Sequence, residues 1–167
     1  NGISPKKAEE ITESIKKEWK DICVSIYSNS KWISFDDSDY WIKQEEEITN
    51  LKCFKGDFKE LLEKDIEVHK ILCMGNPEKI TEIEKRLKAI YPELSIYRSK
   101  ETYLEIMDGK ALKSNAVEVL CRIKGIPMEK TISFGDNYND VDMLKATGMG
   151  VAMGNAPAEV KSQVEHI

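Results

Sequence analysis

From about residue 100 to the end of the chain, short apolar runs and amphipathic runs alternate strictly, with brief links between them. "TYLEIM" reads as a strand, "SNAVEVLCRIKG" as a helix closed by Gly125, and "TISFGD" as a strand. "DVDMLKATG" follows as a helix closed by Gly148, "MGVAMG" as a strand and "NAPAEVKSQV" as a helix capped by Asn155. Such alternation predicts parallel pairing in a doubly wound sheet, because parallel neighbours need a crossover about as long as a helix. Three strands are few for an open parallel sheet that must bury both faces. Residues 100–167 therefore read as the back half of an α/β unit.

Residues 1–99 follow a different grammar. Ser4 caps and Pro5 opens a helix in which Ala8, Ile11, Ile15 and Trp19 recur at three- and four-residue steps. "DICVSIYS" alternates like a strand, and "KWISF" is its expected hairpin partner across Asn29-Ser30. "YWIKQEEEITNL" is read as a surface helix, and "GDFKELLEK" as a helix capped by Asp57 with Glu60 in a capping box. "EVHKILCMG" reads as a strand and "LSIYR" as another. Between them lies a helix with Asn76 as cap, Pro77 in its first turn, and Ile80, Ile83, Leu87 and Ile90 on one face. This order suits helices packed on one face of a mainly antiparallel sheet. The boundary between the two units is expected at Ser99 to Thr102.

Charge and composition narrow the function classes. With 25 Lys and Arg against 30 Asp and Glu, the net charge of −5 argues against non-specific binding to nucleic acid. No apolar run approaches the roughly 20 residues that span a bilayer, and the opening residues resemble no signal sequence. A cytoplasmic protein without nucleic-acid or membrane partners is expected. The four cysteines form no CxxC pair, and with only His69 and His166 no zinc site can be composed by spacing. Cys23, Cys73 and Cys121 lie in apolar runs and are expected as reduced, buried thiols. The chain opens on Asn1, so it is expected to be processed or a piece of something longer.

The chemistry concentrates in "ISFGDNYNDVDML". A strand ends in Gly135, and Asp136, Asn139, Asp140 and Asp142 then fall within seven positions. In open α/β sheets ligands bind beyond the carboxyl ends of strands, and this is such an end. Clustered carboxylates repel one another unless a cation sits among them, and carboxylate-plus-water ligation suits Mg²⁺. Asn139 or Asp140 could equally be a helix cap, with Asp142 in the helix's first turn and the remaining acids in turns. A calcium loop is excluded, since Tyr138 falls at its third position and its glycine and final glutamate are missing. The acidic run Asp36 to Asp39 fails the same test and reads as a solvated turn. Lys113, just before a helix that follows a strand, could neutralise a phosphate or an intermediate's charge, or be an ordinary solvated surface lysine.

Lys113 to about Lys161, with its "GDNYND" and "GVAMGNA" blocks, resembles the C-terminal signature of the haloacid dehalogenase superfamily, in its Cof-type phosphatase branch. The preceding segment is more loosely similar to that branch's large cap. The resemblance implies an α/β fold: an α+β cap at 1–99, which supplies substrate specificity, and at 100–167 the C-terminal part of a Rossmann-like core. It implies a Mg²⁺-dependent phosphate-monoester hydrolase acting on a small phosphorylated metabolite through a phosphoaspartate. By position, Lys113 matches the lysine that binds phosphate and steadies the nucleophile. Asp136 matches the acid that ligates Mg²⁺, Asn139 a residue near the phosphoryl group, and Asp140 a second carboxylate supporting the metal. Met153 to Ala156 matches a loop that closes the core near the site. Ser114 stands where the family often has Gly. The DxD nucleophile motif and the second motif, which precede the cap in this family, are missing; Asp37-Ser-Asp39 has the spacing but lies in the cap-like half. The chain is thus expected to be inactive by itself. A non-catalytic binding module derived from the fold is the competing reading.

Overall fold

Asn29 takes a left-handed backbone conformation, φ 52°, where β1 (Cys23–Ser28) turns back into β2 (Lys31–Ser34). In this computed structural model, which describes residues 2–29, 31–58 and 67–167, that hairpin is the middle of a six-stranded sheet. The sheet also contains β3 (Cys53–Lys55), β4 (Lys70–Met74), β5 (Leu94–Lys100) and β6 (Tyr103–Asp108), in the order β3-β2-β1-β4-β6-β5. Every pairing is antiparallel except β2 with β3. The expected helix over "GDFKELLEK", with its Glu60 capping box, lies almost wholly outside the described residues.

Residues 1–109 form one unit and 110–167 a second. In the first, α1 (Pro5–Glu18) and α3 (Pro77–Ile90) cover one sheet face, burying Ile11, Ile15, Ile80, Ile83 and Leu87 against Val24, Ile26, Ile71 and Cys73. Proline opens both helices, and Asn76 accepts a hydrogen bond from the Glu78 N–H at 2.9 Å. Each such aliphatic side chain contributes about 1.5–3 kcal/mol by leaving water. The opposite face is also covered, contrary to the one-faced packing expected. There α2 (Tyr40–Thr49) buries Ile42 against Cys23, Trp32, Leu72 and Met74. The reason is visible in "KILCM": successive residues point to opposite faces, and β4 is apolar at both sets, so each face needs a cover. The cysteines are all buried and unpaired, and burial pushes the Cys73 thiol up to about 12.

A second difference concerns the boundary. The run at 103–108 was expected to be the first strand of the C-terminal unit. Instead β6 lies between β4 and β5 in the first sheet. Only two residues separate β5 from β6, a link that closes a hairpin and is too short for a crossover. Leu104 and Ile106 join the first unit's core. The division therefore falls at 109/110, about ten residues later than the sequence pattern suggests.

The second unit contains α4 (Lys113–Lys124), β7 (Ile132–Gly135), α5 (Val141–Ala146), β8 (Met149–Ala152) and α6 (Ala158–Lys161). As expected, β7 and β8 pair in parallel across the α5 crossover, and Gly125, at φ 66°, closes α4. Leu144, Ala152, Ala156 and Val160 form a small core. Within β7 only Ser133 and Gly135 are buried; Ile132 and Phe134 are 60% and 63% exposed. The last helix begins at Ala158 behind Pro157, so Asn155 is not its cap.

Candidate functional site

The site is built where β7 ends. Asp136 follows the strand immediately and is exposed, and residues 138–140 then make a single 3-10 turn. A capping box between Asn137 and Asp140 shapes that turn. Asp140 is buried and uses both carboxylate oxygens. Its Oδ2 accepts from the backbone N–H of Asp136 at 2.9 Å and of Asn137 at 3.0 Å. Its Oδ1 accepts from the Lys113 ammonium, the first residue of α4. Burial by itself would raise the Asp140 pKa; the Lys113 ammonium and the two N–H donors outweigh it and hold the carboxyl below the ordinary range.

Gly135 makes this approach possible. A Cβ there would come within 2.4 Å of the Asp140 Cβ, so any larger residue would push the carboxylate out of its cradle. Close packing is what the glycine provides.

Asp142 holds the lysine's helix in place. α4 begins behind Leu112, which offers no capping side chain, and Asp142 on α5 accepts from the Ser114 N–H at 2.8 Å. A third contact comes from the loop after β8. The Met153 N–H donates to the Gly135 carbonyl at 2.8 Å, and the Asn155 amide donates to Asp136 Oδ2 at 3.2 Å. Asn137 was missed as a site residue; Asn155 was included only as part of the Met153 to Ala156 loop, and Asp142 either as a member of the acidic cluster or as a first-turn acid, not as the acceptor for Ser114. A helix opening without a polar cap was the one legible hint that α4 takes an acceptor from elsewhere.

Through Asp140, the structure thus brings Lys113 to the Asp136 backbone. Asn139 lies on the same turn, half-buried, and no hydrogen bond of its side chain appears among the described residues. The metal question turns on the donors. No group of three or more His, Cys, Asp or Glu side chains is gathered among the described residues. Both Asp140 oxygens already accept hydrogen bonds, so Asp140 is not placed as a direct metal ligand. Asp136 is a hard, exposed carboxylate with one oxygen engaged by Asn155, which fits a cation that keeps most of its waters, as Mg²⁺ does.

Comparison with known proteins places the chain among relatives. A family profile described as haloacid dehalogenase-like hydrolase matches residues 1–167. A Haemophilus influenzae protein that carries a provisional phosphatase name is 39% identical over 159 residues, covering 95% of this chain and 59% of that protein. The Bacillus subtilis phosphatase YwpJ is 39% identical over 110 residues, 64% of this chain and 38% of its own length. Among solved structures, a haloacid dehalogenase-like hydrolase from Bacillus subtilis superposes with a TM-score of 0.83 at 27% identity, covering 99% of this chain and 66% of that one. The chain spans about six-tenths of the length of the Haemophilus relative.

Proposed function

We propose, from the premise that the chain belongs to the haloacid dehalogenase-like hydrolases and to their Cof-type branch, that it supplies the lysine and metal-carboxylate part of a Mg²⁺-dependent phosphate-monoester hydrolase. The observation that carries the proposal is the Asp140 bridge, which orders Lys113 against the carboxyl end of β7. The Lys113 side chain is half exposed while that of Asp140 is 6% exposed, so the ammonium is held from behind and open in front. A cation so fixed needs little reorganisation as charge develops on a phosphoryl oxygen.

In this reading Asp136 is the direct protein ligand of Mg²⁺, and Asn155 orients its carboxylate. The bound ion would withdraw charge from the phosphoryl oxygens. Asp140 positions the ammonium, Asp142 fixes the helix that carries it, and Asn139 lies on the turn nearest the transferred group. The substrate class is a small phosphorylated metabolite, chosen by the first unit acting as cap.

The phosphoryl acceptor is the missing part. Asp37-Ser-Asp39 has the spacing of the nucleophile pair, but Asp39 caps α2, accepting from the Trp41 N–H at 2.8 Å, in the first unit. Correct placement of a nucleophile accounts for about 7–11 kcal/mol of such a barrier. The chain by itself is therefore expected to be inert.

Phosphate release from a generic aryl phosphate with Mg²⁺ tests this. The 167-residue chain should give background only. Joined behind the unmatched segment of the Haemophilus relative, it should turn over, and Lys113→Ala and Asp136→Asn should each abolish that turnover. Turnover by the chain alone that vanished on Asp136→Ala would reveal a nucleophile within it. Turnover of the joined protein that ignored both substitutions would remove the reading.

A further inference from the structure

The Asn155 amide meets the Asp136 carboxylate at 3.2 Å, and both residues are exposed. An exposed amide points where its backbone sends it, so its direction depends on how residues 153–156 are held. On one side the Met153 N–H is anchored on the Gly135 carbonyl at 2.8 Å. On the other, the Ala156 N–H closes a turn on the Met153 carbonyl at 2.9 Å, and Ala156 is buried. Between those anchors lies the Gly154–Asn155 peptide. Nothing stands within 4 Å of where a Gly154 Cβ would be, so packing does not fix that peptide, and a glycine backbone has the widest freedom of any. A side chain fixes it instead. The Lys161 ammonium donates to the Gly154 carbonyl at 2.6 Å. Such a charge-assisted bond is about twice as strong as a neutral one, and it grips the planar unit whose nitrogen belongs to Asn155. Lys161 ends α6, which is rooted in the small core by the fully buried Val160 just before it. Glu159, on the same helix, meets the Tyr138 hydroxyl only at 3.4 Å, too long to steady the site by itself.

We propose that Lys161 is a positioning residue for the metal carboxylate. It fixes the Gly154–Asn155 peptide, the peptide aims the Asn155 amide, and the amide turns Asp136 towards the ion. The inference rests on the reading of Asp136 as the Mg²⁺ ligand. Its sign separates it from a plain charge effect. An ammonium near a cation site repels the ion, so loss of the charge alone would tighten Mg²⁺ binding. Loss of a positioning residue loosens it.

Nuclear magnetic resonance of the 167-residue chain reads both steps. The Asn155 side-chain amide reports its own placement, and the Asp136 backbone amide reports Mg²⁺ as it is added. Lys161→Met keeps the aliphatic stem and removes the ammonium, while Lys161→Arg keeps a charged donor. In Lys161→Met the Asn155 side-chain signals should move to those of a solvated amide, with Tm within about 2 °C of the parent chain. Partners of a ligating group are worth about 10–100-fold in metal affinity, so Asn155→Ala should weaken Mg²⁺ binding about tenfold. Lys161→Met, one step further out, should weaken it about threefold, and Lys161→Arg should restore it. Asn155 signals that ignore Lys161→Met, or Mg²⁺ binding left unchanged or tightened by it, would overturn the proposal. So would a weakening that comes with a large fall in Tm and that Lys161→Arg does not restore, which would make Lys161 a structural residue of α6. A parent chain with no Mg²⁺ response at Asp136 would remove the metal reading and this inference with it. A parent chain that binds Mg²⁺ while Lys161→Met changes nothing would remove this inference alone.

Discussion

The two units divide the tasks of folding and chemistry unequally. In the first, strands apolar on both faces are covered by α1 and α3 on one side and α2 on the other, and Trp19, Phe58 and Leu87 are all buried. In the second, Leu144, Ala152, Ala156 and Val160 make a core of small or medium side chains, while Phe134 and Ile123 face solvent. Yet it is the second unit that carries the buried carboxylate, its lysine and the exposed aspartate. Order there comes from specific hydrogen bonds: Asp140 with three donors, Asp142 with one, and Asn155 with Asp136. A unit held this way is sensitive to the loss of single polar groups. A unit held by its core is sensitive to the loss of apolar volume.

The sharpest way to break this contrast is to remove volume from each unit in turn. Ile83→Ala should cost the first unit about 2–5 kcal/mol, seen as a large drop in the thermal midpoint of its tryptophan signal. Ile123→Ala in the second unit should cost less than about 0.5 kcal/mol. Equal costs would mean that α4 is packed in solution.

Next in size is the loss of a polar partner. Asp140→Ala leaves the Asp136 and Asn137 N–H groups and the Lys113 ammonium unmatched, and should destabilise the second unit by about 2–3 kcal/mol. Lys113→Ala should cost about 1–2 kcal/mol, discounted because half of that side chain meets water. Amide exchange resolved by residue checks both, with the first unit's protection unchanged.

The pH dependence follows from the direction of the Asp140 shift. Its folded pKa lies below the ordinary carboxylate value of about 3.9. Its contribution to stability is therefore complete above that value and is lost as pH falls through the lower folded pKa. An acid titration followed by exchange in residues 110–167 should show this loss, and Asp140→Asn should flatten that part of the curve. Asn155→Ala is the smallest change, worth about 0.5 kcal/mol or less in stability for one exposed hydrogen bond.

How much of this was legible in the sequence also differs between the units. Helices with a proline in the first turn and a regular apolar stripe, such as 77–90, were readable because local signals and core packing agree. β6 was misassigned because strand periodicity says nothing about which sheet a strand joins; the two-residue link to β5 held that information. β3, three residues long, left no periodic trace. At the site, residue types clustered at a strand end singled out Asp136 and Asp140, Lys113 stood out separately before its helix, and the role expected of each came from the family resemblance. The contacts of Asp142 with Ser114 and of Asn155 with Asp136 span 28 and 19 positions and have no local signature. Gly135 stands at the strand end in the sequence, but what it provides, room for the Asp140 side chain, is visible only in three dimensions.

The central claim is that this chain holds one direct metal-binding carboxylate, Asp136, backed by an Asp140 whose own oxygens are committed. Mg²⁺ titration of the 167-residue chain by calorimetry tests it most directly. With one inner-sphere protein ligand, affinity should lie in the millimolar range, on the order of −4 kcal/mol. Asp136→Asn should abolish it, and Asp140→Asn should weaken it without abolishing it. A micromolar constant, or a millimolar one that Asp136→Asn leaves unmoved, would contradict the account.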